Sequence, residues 1–150
     1  MAAGRVRVTV NEKILVHLLD YARTEDRVDA PRETTQQGIA DALRARRSHV
    51  TLALHTLRER SLVVDRTTRI VGGTRRKKAY CLTPLGYERA RETRARLASL
   101  PVHLLDDGTD IALGSVPARL GWPIDLADLL PHVRPDGGLD PRLLAAPPAP

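Results

Sequence analysis

The chain has 150 residues, a formal charge of +6 and a pI near 10.2, with no Phe, three Tyr, one Trp and one Cys. That length supports one main domain with its own apolar core and a small appendage, while a lone cysteine rules out an intrachain disulfide and a cysteine-based zinc site. The basic balance points to a polyanion such as nucleic acid or an anionic membrane surface, and the scarcity of aromatic rings disfavours stacking on unpaired bases, leaving a duplex as the expected partner.

The charge is uneven. Residues 101–150 hold three Arg or Lys against seven Asp, whereas residues 1–100 hold 21 cations against 11 acids. The N-terminal MAAGRVRVTV lacks the apolar run of a signal peptide, and no segment approaches the roughly 18 apolar residues of a membrane span. A cytoplasmic, nucleoid-associated protein with no membrane partner is expected.

Thr9-Val10-Asn11-Glu12 reads as a capping box, and Ile14, Leu15, Leu18, Leu19 and Ala22 recur at helical spacing behind it. The polar residues 23–33 read as a loop. Thr34 or Thr35 caps a second helix through about Leu43, with Ile39, Ala42 and Leu43 inward and with Gly38 allowing close helix approach. After the short link Arg44-Ala45-Arg46, a third helix runs from about Arg47 to Arg60. Val50, Ala53, Leu54 and Leu57 share its apolar face; Ser48, Leu52, His55 and Glu59 lie opposite, flanked by His49 and Thr51.

Leu62–Val64 is a short strand, Ile70-Val71 leads to a Gly72-Gly73 turn, and Lys77–Leu82 returns. Thr83-Pro84 opens a fourth helix with a thin stripe of Tyr87, Ala90 and Leu97. Beyond Leu100 the spacing predicts a small hairpin over residues 102–113 and helical turns at Val116–Leu120 and Asp125–Leu130. From Arg134 the Pro, Gly and Ala content predicts a mobile or extended tail. The expected fold is mainly α with a small β-hairpin wing (α+β): a winged helix-turn-helix over residues 9–99, an accessory hairpin and helix element over 101–133, and a tail over 134–150.

The third helix can enter a B-DNA major groove, where Arg47, Ser48, His49, Thr51, Leu52 and His55 would meet base edges or phosphates; the alternative is an ordinary solvated face. Arg75, Arg76, Lys77 and Lys78 follow the Gly-Gly turn and can reach phosphates or the minor groove. Four consecutive cations exceed what protection of a strand edge requires. Thr35, Gln36 and Gln37 open the second helix, where free N–H groups favour a phosphate, with plain capping as the alternative for the threonines. Arg44, Arg46 and Arg47 cluster at the turn, consistent with clamping a backbone. The five histidines form no close metal-ligand spacing, and phosphate-loop, nucleophile-elbow and zinc-protease motifs are absent. Cys81 reads as a small core residue. No cofactor and no catalytic role are expected.

The segments TQQGIADAL, RSHVTLALHTLRERSLV, IVGGTRRKKAYCLT and the following PLG resemble the winged helix-turn-helix of MarR-like transcriptional regulators, most closely the archaeal type. The resemblance covers roughly residues 9–97. It implies that Arg47, Ser48, His49, Thr51 and His55 enter the major groove and that Arg75, Arg76, Lys77 and Lys78 lie on the backbone. It also implies a homodimer, expected to form through the terminal segments; residues 101–133, outside the resemblance, are expected as an accessory element open to a protein partner. The sequence departs from the pattern at four positions: Arg44 and Ser61 replace usual glycines, Arg46 replaces a usual Ser cap, and Leu52 stands where Arg is common. The competing class is a winged-helix protein-interaction adaptor with weak, sequence-blind DNA binding, for which an exposed Leu52 would speak.

Overall fold

The computed structural model describes residues 7–22 and 28–144. Helix α1 spans Val10–Leu19 and begins with the expected capping box: Glu12 N–H donates to Thr9 Oγ1 at 3.2 Å, and Thr9 N–H donates to the Glu12 carboxylate at 2.9 Å. It ends three residues earlier than the apolar spacing predicts, at a C-cap on Asp20. Part of the expected loop, residues 23–27, lies outside the described residues. The rest is more ordered than its polar composition suggests. Strand β1, Asp29–Ala30, pairs in parallel with a later strand, and a 3-10 turn at Arg32–Thr34 leads into the next helix.

Helix α2 spans Gln36–Leu43 with Thr35 as its N-cap. Ile39, Ala40 and Leu43 are its buried apolar side chains, whereas Ala42, expected to point inward, is exposed because the helix turns its Ile39–Ala40 edge to the core. Gly38 is needed for close approach, but to the 3-10 turn: a Cβ there would collide with the Arg32 carbonyl. Arg44 closes α2 in the left-handed region at φ +52°, and Arg46 precedes α3, Arg47–Glu59, without a side-chain cap.

Strands β2, Val63–Ile70, and β3, Arg76–Leu82, form the antiparallel wing, and the sheet order is β1-β2-β3. The two apolar pieces expected before the turn are one continuous strand, because the polar residues between them complete the ladder with β3. The turn takes its positive φ at Gly72, +77°. Ile14, Leu18, Ile39, Val50, Leu54, Leu57, Val63, Tyr80 and Leu82 belong to one core beneath α1, α2, α3 and the base of the wing. This element order and pairing make a winged helix-turn-helix within the compact unit Thr9–Thr93.

Helix α4, Pro84–Ala98, starts as expected: Thr83 Oγ1 accepts from Gly86 N–H at 2.9 Å, and Pro84 holds the first helical position. Its inward stripe is Gly86, Ala90, Thr93 and Leu97; Tyr87, expected on that stripe, is exposed and lies under the Arg91 guanidinium, 5.8 Å from the ring centre. Gly86 takes the inward place because a Cβ would strike the Leu62 carbonyl.

The second compact unit includes Arg94–Pro150. Its sheet, in the order β5-β4-β6, consists of β4, Pro101–Leu104, β5, Asp110–Ala112, and β6, Gly138–Leu139. Helices α5, Val116–Leu120, and α6, Leu126–Leu129, lie between β5 and β6 in the chain. The segment from Arg134 expected as an extended tail therefore contains a strand: Gly138 and Leu139 pair in parallel with β4, and Leu139 is fully buried. A two-residue strand carries no alternation from which a sequence can announce it. Residues 145–150 of the expected tail lie outside the described residues.

Candidate nucleic-acid interface

Helix α3 has two faces of opposite character. Val50, Ala53, Leu54 and Leu57 are buried, while Arg47, Ser48, His49, Thr51, Leu52 and His55 are all exposed, Leu52 by 68%. The separation follows from the 3.6-residue period acting on this order of residues. Two of the exposed polar groups are already engaged. Thr51 Oγ1 donates toward Arg47 O at 2.9 Å and toward Gln36 Oε1 at 3.3 Å, and His55 Nε2 lies 3.1 Å from Glu59 Oε1. Arg47, Ser48, His49 and Leu52 present their side chains on the open face.

The wing carries the expected cations, all exposed: Arg75 lies in the turn, and Arg76, Lys77 and Lys78 begin β3. Pairing with β2 sets their faces. Lys78 stands opposite Thr67 and Arg76 opposite Arg69, whereas Lys77 stands opposite Thr68. Side chains alternate along a strand, so Arg76 and Lys78 share the face of the core residues Tyr80 and Leu82, and Lys77 points to the other. Arg69 facing Arg76 places two like charges directly across the ladder, an arrangement that costs stability unless an anion relieves it. Lys78 is partly neutralised: its Nζ lies 3.8 Å from Asp65, which also meets Arg58 at 3.4 Å.

Between wing and helices lie two clefts. One, about 380 Å³, is bounded by Thr35, Gln36, Gln37, Arg47, Lys77 and Lys78, so the starts of α2 and α3 and the wing converge on it. The other, about 330 Å³, lies toward the wing tip, where Arg32, Arg75 and Lys77 supply the charge. No carboxylate lines either cleft among the described residues.

Thr35 takes the capping role, the alternative to a phosphate contact. It is buried, and its hydroxyl accepts from Gly38 N–H at 3.1 Å while donating to Arg32 O at 2.7 Å, so its side chain is a helix cap with no donor left for a ligand. Gln36 reaches the cleft but is also tied to Tyr80, whose hydroxyl accepts from Nε2 at 2.9 Å. Gln37 borders both clefts. Arg44 and Arg46 are exposed on the α2–α3 turn and line neither cleft.

Arg32 and Arg69 join the basic surface without having been singled out by sequence. Arg32 sits on a 3-10 turn that the polar loop does not announce, where it pairs with Asp41 at 2.6 Å, and Arg69 acquires its neighbour only through strand register. The Arg32 hydrogen bond, with a second from Gln37 at 2.8 Å, holds the Asp41 carboxyl below its ordinary range.

Among the described residues there is no group of three or more His, Cys, Asp and Glu able to hold a metal, and no helix is long and apolar enough to cross a membrane. Cys81 is half-buried on β3 opposite Val64.

No family model and no curated protein matches the chain. Among solved structures it is similar to a point mutant of MepR from a multidrug-resistant clinical isolate of S. aureus, at 26% identity and a TM-score of 0.40, over 57% of this chain and 55% of that one. It is similar also to a point mutant of ZitR from Lactococcus lactis, at 21% identity and 0.42, over 61% and 56%. Wild-type ZitR in complex with DNA aligns at 21% identity and 0.40, over 63% and 56%. Both are winged-helix regulators of the MarR family, whose motifs the sequence resembles. The chain spans little more than half the length of these proteins, and likeness at this level assigns no role to any of its residues.

Proposed function

We propose that this chain binds double-stranded DNA as a sequence-reading regulator of transcription, with α3 in the major groove and the wing on the phosphate backbone or adjacent minor groove. The observation that carries the reading is the convergence of the start of α3, through Arg47, and the wing residues Lys77 and Lys78 on one cleft, lined by no carboxylate among the described residues. Phosphate contacts would fall to Arg75, Arg76, Lys77 and Lys78, with Arg44, Arg46 and Arg47 clamping the strand beside the helix turn. Base reading would fall to Ser48, His49, Leu52 and His55. Leu52 suits the C5-methyl of thymine rather than a hydrogen-bonding edge. Thr51, whose hydroxyl is engaged within the protein, would contribute chiefly by shape. The role is binding rather than turnover, in the cytoplasm at the nucleoid.

A homodimer would place two such helices on successive half-sites. Selection of bound duplexes from a random pool at about 0.1 M salt tests this reading. Enrichment of a short, two-fold repeated motif is expected, with changes at Ser48 or His55 altering the preferred bases. A pool that stays random after selection would overturn sequence reading.

One observation favours a second reading. Leu52 is 68% exposed at the middle of the α3 face, as a docking residue of a protein-interaction adaptor would be, with residues 101–133 as a further surface for a partner. An adaptor would bind DNA weakly and blindly, and Leu52→Ala would abolish a protein complex while leaving duplex affinity intact.

A further inference from the structure

We propose that Gln36 is a positioning residue that sets the separation between α3 and the wing through Tyr80 and Thr51. The inference rests on the DNA-binding reading above, since its consequence is simultaneous engagement of helix and wing.

Gln36 is the first residue of α2, and its amide is used at both ends: Nε2 donates to the Tyr80 hydroxyl at 2.9 Å, and Oε1 lies 3.3 Å from Thr51 Oγ1, sharing that hydroxyl's one hydrogen with the Arg47 carbonyl at 2.9 Å. One side chain thereby joins an element 44 residues away on β3 to another 15 residues away on α3. Tyr80 is a firm anchor, only 6% exposed and part of the main core. Tyr80 and Ala79 are also the last buried residues of β3 before the exposed run Arg76–Lys78. Beyond them β3 is the edge strand of the three-stranded sheet, with β1 paired to the opposite side of β2 at Arg69 and Ile70. The Gln36 bridge therefore acts on the β3 edge, where that strand leaves the core, and holds it against the side of α3 that carries Thr51.

Helix and wing contact one rigid duplex, so the second contact is intramolecular once the first is made, and its gain depends on spacing. A bridge that fixes this spacing raises duplex affinity without touching DNA. The competing role for Gln36, a direct phosphate contact in the cleft it lines, predicts a different pattern, because Tyr80 is buried out of reach of a ligand.

Duplex affinity is to be measured for Gln36→Met, Tyr80→Phe, the double substitution, and each in an Arg75→Ala/Arg76→Ala background. Tyr80→Phe keeps the ring in the core and removes only the hydroxyl. Each single change is expected to weaken binding about fivefold. The double change should be no weaker than either single one, and neither should add a loss once the wing cations are gone. Unaltered affinity in Tyr80→Phe, or losses that multiply, would overturn the positioning role. A DNA-free measurement separates this from failure of the wider reading: in a Cys81→Ser background, nitroxides at Arg60 and Thr74 should give one narrow distance that broadens or shifts in Gln36→Met. An unchanged distance distribution overturns the inference even if the protein binds no duplex, whereas absence of duplex binding beside an altered distribution overturns only the DNA-binding reading.

Discussion

Arg44 and Ser61 hold left-handed backbone, at φ +52° and +61°, and they are the only non-glycine residues with positive φ among those described. They are also two of the four places where the sequence departs from the MarR-like pattern, each by replacing glycine. The strain was thus legible as a missing residue type, because a turn of this geometry crowds a Cβ whatever the rest of the side chain. Ser61→Gly is expected to stabilise the protein by about 0.5–1 kcal/mol, visible as a higher denaturation midpoint at unchanged slope. No gain would mean that the φ is wrong or that the turn has relaxed. A second prediction concerns Asp107. The hydroxyl and N–H of Thr109, followed by Arg119, hold its carboxyl at about 2. Because the folded value lies below the unfolded one of about 3.9, its contribution to stability is complete above that pH and disappears as pH falls through the folded value. An NMR titration should place the Asp107 midpoint near 2, with Arg119→Ala raising it; an ordinary carboxylate midpoint in the parent would refute the contacts.

Elements with a strong period or a chemical punctuation mark were readable in advance. The capping box set the start of α1, the clean four-residue apolar face set α3, and Thr83-Pro84 set α4, since each rests on interactions within one turn of helix. What stayed hidden depends on contacts distant in sequence. Strand β1 exists through pairing with Arg69 and Ile70, the 3-10 turn through packing under Gly38, and β6 through pairing with β4. Of the candidate site, the wing cations, the exposed face of α3 and a threonine cap on α2 were legible, whereas the engagement of Gln36 with Tyr80 required three-dimensional neighbours. The uncapped start of α3 gives a prediction at this scale. Arg46 makes no side-chain cap hydrogen bond, so Arg46→Ser should stabilise the helix by about 0.5–1 kcal/mol. If Arg46 clamps a phosphate, the same change lowers duplex affinity; a gain in both stability and affinity would remove Arg46 from the interface.

Over the whole molecule the charge divides along the chain. The winged-helix unit Thr9–Thr93 holds 17 Arg and Lys against 11 acids, while Arg94–Pro150 holds five against seven. Within the first unit the excess concentrates between Arg44 and Lys78, where 11 cations meet two carboxylates, Glu59 and Asp65. Such a field draws a polyanion to one part of the surface and orients it before close contact forms. The most direct test of this account is the dependence of duplex affinity on salt, compared between the parent protein and Arg75→Ala/Arg76→Ala. Wing contact with phosphates predicts a steep linear fall of log affinity with log salt in the parent, and a slope shallower by about 2 in the variant, with affinity lost on every duplex sequence alike. An unchanged slope in the variant would contradict it.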